Sequence, residues 1–284
     1  MIVDGKALSL EIQSALKNDV QNFGRRPRLD VIFAGDDSAS AAFVKRKQAF
    51  GEGAGFEVVV HRPTPDAVKT ADDFLRFCGP VFSDGASDAV IVQLPVLNFS
   101  KEETNKILNR IPVEKDADVL SGAAFERFAA GDSALRPPVV AAISMILKKY
   151  GIGLHGKNIA VVGVRGELVG KPVSAWLSVQ KIPFRAIGRQ TSAEERADIL
   201  KNADIVISGV GSAGMLTPDL VKDGVIALDA GTSGTAGALR GDFDSAVASR
   251  ALLFTPVPGG IGPLTVAALF RNVLALAQKK KPAL

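Results

Sequence analysis

Two apolar rhythms alternate along the chain. Between residues 7 and 23, Leu8, Ile12, Ala15, Leu16 and Val20 recur at helical spacing and mark one buried face. A basic turn, GRRPR, follows, and Leu29 to Ala34 reads as a strand. The segment GDDSAS supplies turn and N-cap residues for a helix from about Ala41 to Glu52. Phe56 to His61 is the next strand, then come a helix around Ala67 to Phe77, a strand at Asp88 to Gln93 stopped by Pro95, and a helix at Lys101 to Arg110. Strands alternating with helices imply βαβ units and a parallel sheet. The polar stretch PVEKDADVLSG has neither period and reads as a loop leading to the crevice of that sheet.

After a turn at Gly131 to Pro138, Val139 to Tyr150 reads as a helix entering a second domain. Strands follow at Ile159 to Val162, Pro183 to Ile187, Asp204 to Val210, Val225 to Asp229 and Leu252 to Phe254, with helices between the first three. This is the pattern of a second, Rossmann-like sheet. A final helix, Leu264 to Gln278, is apolar round much of its circumference, as expected of one that packs back on the first domain. The expected fold is α/β with two domains, residues 1–138 joined by the C-terminal helix 264–284, and residues 139–263, with a cleft between them.

The stretch Asn158 to Pro172, NIAVVGVRGELVGKP, concentrates the chemistry of the second domain. An apolar strand runs into Gly163, Gly166 and Gly170, which let the backbone turn tightly and bring helix-start amides near a bound phosphate. The spacing is not GxGxxG, and a plain strand-to-helix turn would use the same glycines. An NAD site places an acidic residue about 20 positions later. Here that strand end reads FRAIGRQT and offers Arg189, while Arg165 sits inside the glycine turn. Guanidinium groups there suit the 2′-phosphate of NADP, although both arginines equally fit a solvated surface.

Composition narrows the class further. The 284 residues are 47% hydrophobic and 23% charged, enough for two full cores and typical of a soluble globular protein. A net charge of +4, part of it from Lys279, Lys280 and Lys281, gives weak support for anionic small ligands, and no basic patch interleaved with aromatics points to nucleic acid. Cys78 stands alone, so neither an internal disulfide nor a multi-cysteine zinc site is expected. His61 and His155 lack ligand partners at useful spacing, so no metal is expected. The N-terminus has no apolar leader and no uninterrupted apolar run reaches membrane-spanning length, which reads as a cytoplasmic protein.

Two more stretches stand out. In FVKRK, Phe43 and Lys47 lie four apart on one helix face, and Gln93 and Asp118 fall where the carboxyl ends of the first sheet are expected. A lysine dehydrated beside an apolar ring becomes a base near neutral pH, whereas a solvated helix lysine and a turn aspartate would show the same spacing. In TPVPGGIGPLT, Thr255 to Thr265, three prolines and three glycines hold one irregular path that cannot start a helix before Gly262, as either a binding wall or a structural loop.

Taken together these segments resemble the bifunctional methylenetetrahydrofolate dehydrogenase/cyclohydrolases, the FolD-type proteins. FVKRK resembles the family's YVxxK, VQLPV its VQLPLP, EKDADV its KDVDG, RGELVGKP its RSxxVGxP, and TPVPGGIGPLT is nearly its TPVPGGVGPMT. The five occur in the family's order and cover nearly the whole chain. The resemblance implies an N-terminal folate-binding domain and a C-terminal NADP-binding domain. It implies oxidation of 5,10-methylenetetrahydrofolate to the methenyl cation with NADP, then hydrolysis to 10-formyltetrahydrofolate, in the one-carbon metabolism that feeds purine biosynthesis. Lys47 would be the cyclohydrolase lysine, Gln93 its tuning partner and Asp118 the carboxylate that grips the pterin. Phe43, Pro256, Val257, Pro258, Gly259 and Gly260 would contact folate, and Ser208 and Gly211 would line the cofactor beside Gly163, Arg165, Gly166, Gly170 and Arg189. A homodimer through the cofactor domains is also implied.

The chain departs from the family at several points. Phe43 replaces tyrosine, keeping a ring and losing the hydroxyl. RPPV at Arg136 to Val139 stands for PCTP, GRQT for HSxT, and DAGTS at Asp229 to Ser233 for DVGIN, while Val164 and Gly166 flank Arg165 in place of glycine and serine. Two alternatives follow: a dehydrogenase with weak or lost cyclohydrolase activity, or a catalytically silent nucleotide- or folate-binding protein.

Overall fold

The computed structural model describes residues 1–35, 38–64, 67–96, 99–132, 134–234 and 239–280. Asp36 and Asp37 of the expected capping segment, and residues 281–284 of the expected last helix, lie outside the described residues. The chain divides into two units: Leu10–Pro137 with Val266–Leu284, and Met1–Ser9 with Pro138–Thr265.

In the first unit, β1 (Arg28–Ile32), β2 (Glu57–His61) and β3 (Ala89–Val92) form a parallel sheet in the order β2-β1-β3. β3 is buried at every position, as its unbroken apolar run requires. α2 (Ser38–Gly53) connects β1 to β2 and α3 (Ala71–Ser83) connects β2 to β3. A capping box between Thr70 and Asp73 fixes the start of α3. The helix runs six residues past its expected end at Phe77, through Pro80. Phe74, Cys78, Val81 and Phe82 share its buried face, and their burial outweighs the hydrogen bond lost at proline. A second capping box, Ser100 with Glu103, starts α4 (Lys101–Leu108).

The loop expected around PVEKDADVLSG contains a short 3-10 turn at Val113–Lys115 and runs into an unexpected helix, α5 (Gly122–Ala129), capped by Ser121. Leu16 and Val20 of α1 (Gly5–Phe23) join Leu29, Val31, Phe56 and Ile91 in the core, together with Phe270, Val273 and Leu274 of α9 (Ile261–Lys280). α9 is long and apolar enough to cross a bilayer, but 61% of that apolar stretch is buried in the protein. It begins one residue before Gly262, because Pro263 falls in the first turn, where a missing N–H costs nothing.

The second unit carries β4 (Ile159–Val162), β5 (Arg185–Ile187), β6 (Ile205–Ser208), β7 (Ile226–Asp229) and β8 (Leu253–Phe254), parallel and in the order β5-β4-β6-β7-β8. α6 (Pro138–Lys149) precedes this sheet, α7 (Gly170–Val179) follows β4, and α8 (Ala193–Asn202) follows β5. The first nine residues, expected in the other domain, belong here because Val3 N–H donates to the Phe254 carbonyl at 2.9 Å and Phe254 N–H to Met1 at 2.8 Å.

Both sheets reverse direction once. β1 is followed by β2 on one side and has β3 on the other, and β4 is likewise flanked by β5 and β6. Crossovers that leave in opposite directions open a crevice at the carboxyl ends, between β1 and β3 and between β4 and β6, where open parallel sheets bind ligands.

Candidate active site

Residues on separate elements meet at the β1/β3 reversal. α2 presents Lys47, and Gln93 directly follows β3. Lys47 Nζ donates to Gln93 Oε1 at 3.0 Å and stands 3.9 Å from Asp118 Oδ2. The Gln93 amide is fixed from its other side, since Nε2 donates to the Leu94 carbonyl at 2.7 Å. Only its oxygen therefore faces the lysine. Lys47 and Asp118 keep 15% and 19% of their side-chain surface, which is enough to meet a ligand. Lys47 thus has one hydrogen-bond acceptor and one carboxylate at ion-pair distance, whereas its expected partner is the Phe43 ring. That ring is half-buried and carries the Arg46 guanidinium 5.5 Å from its centroid, a cation–π contact.

The Asp118 segment is held by two residues the sequence did not single out. Asp116 is fully buried and pairs with Val90, and its carboxylate accepts from the amides of Leu120 at 3.3 Å and Ser121 at 2.8 Å. Burial pushes the Asp116 carboxyl above its ordinary range. From α9, Asn272 Nδ2 donates to the carbonyls of Ala117 and Arg136, both at 2.8 Å. Between these anchors Val119 is buried at φ 57°, a left-handed conformation that costs a β-branched residue on the order of 1–3 kcal/mol. The family motif resembled here carries glycine at that position. Asp118 therefore projects from backbone that its neighbours over-determine.

The second reversal gathers the glycine turn. Gly163 follows β4 at φ 79°, and Gly166 N–H donates to its carbonyl at 2.8 Å. Gly170 opens α7 so close to the same carbonyl that a Cβ would lie 2.0 Å from the oxygen, so no side chain fits there. Arg165 and Arg189 extend from the ends of neighbouring strands β4 and β5; both are exposed and without hydrogen bond or ion pair among the described residues. Thr191 closes the turn under Arg189, exchanging hydrogen bonds with Gly188 at 3.0 and 3.2 Å.

Ser208 ends β6 fully buried, and its hydroxyl donates to Asp242 Oδ2 at 2.6 Å instead of facing solvent. Gly211 N–H donates to Asp242 Oδ1 at 2.8 Å. Asp242 hangs in turn from Asp229 at the end of β7. Asp229 Oδ1 accepts from the amides of Gly231 at 3.0 Å and Asp242 at 3.2 Å, and Oδ2 from Phe243 at 2.9 Å. Burial pushes the Asp229 carboxyl up to about 6. Neither aspartate announces this role in the sequence, because it depends on amides that only the folded turns bring together.

Pro256, Val257, Pro258, Gly259 and Gly260 form the turn after β8, closed by Gly260 N–H donating to the Pro256 carbonyl at 2.7 Å. Just beyond it, Ser9 Oγ donates to the Pro263 carbonyl in the first turn of α9 at 3.0 Å. This turn lies in the five-stranded unit, whereas Phe43, Lys47, Gln93 and Asp118 lie in the other.

Comparison with known proteins gives the same answer for both units. The family model described as tetrahydrofolate dehydrogenase/cyclohydrolase, catalytic domain, matches residues 3–118, and that described as tetrahydrofolate dehydrogenase/cyclohydrolase, NAD(P)-binding domain, matches residues 137–281. The chain is 35% identical to a bifunctional protein FolD of Lactobacillus delbrueckii and 32% identical to that of Campylobacter concisus, with 98% of each chain covered in both cases. The crystal structure of the bifunctional FolD of Campylobacter jejuni is similar at a TM-score of 0.89 and 29% identity, covering 98% of this chain and 99% of that one. The Trypanosoma brucei FolD, complexed with NADP cofactor and an inhibitor, is similar at 0.91 and 29% identity, covering 100% and 99%.

Proposed function

The chain belongs to the tetrahydrofolate dehydrogenase/cyclohydrolase family, and from that premise we propose how its residues divide the work. The enzyme oxidises 5,10-methylenetetrahydrofolate with NADP and hydrolyses the methenyl product to 10-formyltetrahydrofolate. In the first step the bridging carbon gives a hydride to the nicotinamide and becomes a cation. Water then attacks that carbon, loses a proton, and one of the two carbon–nitrogen bonds opens.

The observation that carries the assignment of roles is the convergence of Lys47, Gln93 and Asp118 at the carboxyl ends of β1 and β3. Gln93 is locked as an acceptor, so Lys47 anchors one N–H on it whether charged or neutral and directs the rest of its amine to the attacking water. Asp118 meets the pterin, and its negative charge favours the methenyl cation. Phe43 offers an apolar ring face to the folate. Phe43 lacks the hydroxyl of a tyrosine, and Lys47 is held instead by its hydrogen bond to Gln93, with the Asp118 carboxylate at ion-pair distance.

On the cofactor side, Gly163, Gly166 and Gly170 bring backbone against the dinucleotide, and Arg165 and Arg189 reach its 2′-phosphate. Ser208 and Gly211 act by shaping the turn after β6. The three-stranded unit takes the folate and the five-stranded unit, which includes residues 1–9, takes NADP. We place the enzyme in the cytoplasm as a homodimer that serves purine synthesis, without a nucleic-acid or membrane partner.

The test supplies purified protein with methylenetetrahydrofolate and NADP or NAD and follows methenyl and formyl products separately. Both products with NADP are expected. NADPH formation without accelerated methenyl hydrolysis would leave a dehydrogenase alone, and binding without turnover would leave a silent protein.

A further inference from the structure

We infer that Asp242 is a positioning residue for the dinucleotide: its buried carboxylate gathers the turn after β6 into one conformation and so shapes one wall of the cofactor site. The inference rests on the cofactor lying at the β4/β6 reversal.

Asp242 is fully buried, where a carboxylate is costly unless donors surround it. Four do. Oδ2 accepts from Ser208 Oγ at 2.6 Å and Val210 N–H at 2.7 Å, and Oδ1 from the amides of Gly211 at 2.8 Å and Ser212 at 2.7 Å. All four donors come from residues 208–212, so every side-chain bond of the carboxylate orders a single turn. The turn follows β6 at the sheet reversal, and it places Val210, 44% exposed, against the Gly163 turn, where a Cβ on Gly163 would lie 3.0 Å from Val210 Cγ2.

Asp229 sets the position of Asp242 by accepting the amides of Asp242 and Phe243, so two carboxylates in series tie the ends of β6 and β7 together. Gly231 leaves the space this needs, since a Cβ there would fall 2.1 Å from Asp242 Oδ2.

Two variants test the inference. Asp242→Asn keeps the shape but offers one acceptor oxygen to four donors, turning its own N–H groups against an amide of the turn. Gly231→Ala keeps the charge and displaces it. NADP affinity is measured by titration, along with the KM and kcat of the dehydrogenase. Methenyl hydrolysis, which uses Lys47, Gln93 and Asp118 and no hydride, is measured on the same preparations. Expected are a rise of about tenfold or more in the Kd and KM for NADP in both variants and hydrolysis near the wild-type rate. An unchanged Kd for NADP in folded variants would overturn the positioning role. So would parallel loss of both activities in Gly231→Ala, which would make the carboxylate a general structural support. Should Asp242→Asn not fold, Gly231→Ala decides by the same criteria. A wild-type protein that does not bind NADP would instead overturn the cofactor reading itself.

Discussion

Asp229 gives the sharpest test of the electrostatics, because an amide of the same shape in its place does not titrate. Its carboxyl is pushed from 3.8 up to about 6, first by burial, and the amides of Phe243, Asp242 and Gly231 only partly oppose that push. Between those two values the folded protein holds a proton that the unfolded chain has released. Stability therefore falls as pH rises through this window: the contribution of the neutral carboxyl is complete below about 3.8 and gone above about 6. A rise from 3.8 to about 6 corresponds to about 3 kcal/mol. Asp229→Asn cannot titrate. It carries instead a fixed penalty of about 1–3 kcal/mol, because its amide N–H faces the Phe243 N–H. Urea unfolding followed by the fluorescence of Trp176, the single tryptophan, buried in α7 of the same unit, gives the stability of both proteins. From about pH 4 to about pH 7 the wild type should lose about 2 kcal/mol relative to the variant, enough to close or reverse the gap between them. A gap independent of pH would mean that Asp229 is charged throughout, and the desolvation argument would fall.

Replacing Lys47 with methionine should reduce methenyl hydrolysis by about 10²-fold or more, the usual scale for a proton-transfer group, while sparing folate binding; unchanged hydrolysis would remove Lys47 from the mechanism. Arg189→Ala should weaken NADP by about tenfold or more through loss of a charge-assisted contact, with little effect on NAD. Equal effects on both cofactors in titrations would refute the 2′-phosphate contact. Cys78 is buried and its thiol is pushed up to about 12, so a thiol reagent at neutral pH should react only after unfolding. Rapid labelling of the native protein would contradict that burial.

The sheets were legible because buried parallel strands are written as short apolar runs, and β3, β4, β6 and β7 each are. What escaped was written elsewhere than in a period. Met1 to Val3 pair with Phe254 across most of the chain, a contact no local pattern encodes. α5 is eight residues long with only Ala124 and Phe128 buried, too few to mark a face, although Ser121 was a readable cap. Pro80 argued for ending α3, and the apolar face on both sides of it won.

At the site, Lys47, Gln93 and Asp118 lie far apart in sequence, and the parallel topology brings them together. Their types and their family resemblance were visible, while the amide locked on Leu94 was not. Asn272 works through backbone carbonyls, and Asp242 through three backbone amides and one hydroxyl, that of Ser208, so little in their neighbours' side chains signals them.

The turn after β6 carries one more consequence. Successive backbone amides that converge on a point form a concave nest, the kind of cradle that takes phosphate in many nucleotide sites. Val210, Gly211 and Ser212 make such a cradle, and the protein has already filled it with its own Asp242. Its donors are spent on that carboxylate, so on the proposed reading the diphosphate is left to the helix start at Gly170. Of two glycine-bearing loops facing each other across one crevice, only one stays open to phosphate. On the proposed reading, an internal carboxylate thereby gives the groove a polarity, and gives a dinucleotide one direction in which to lie down.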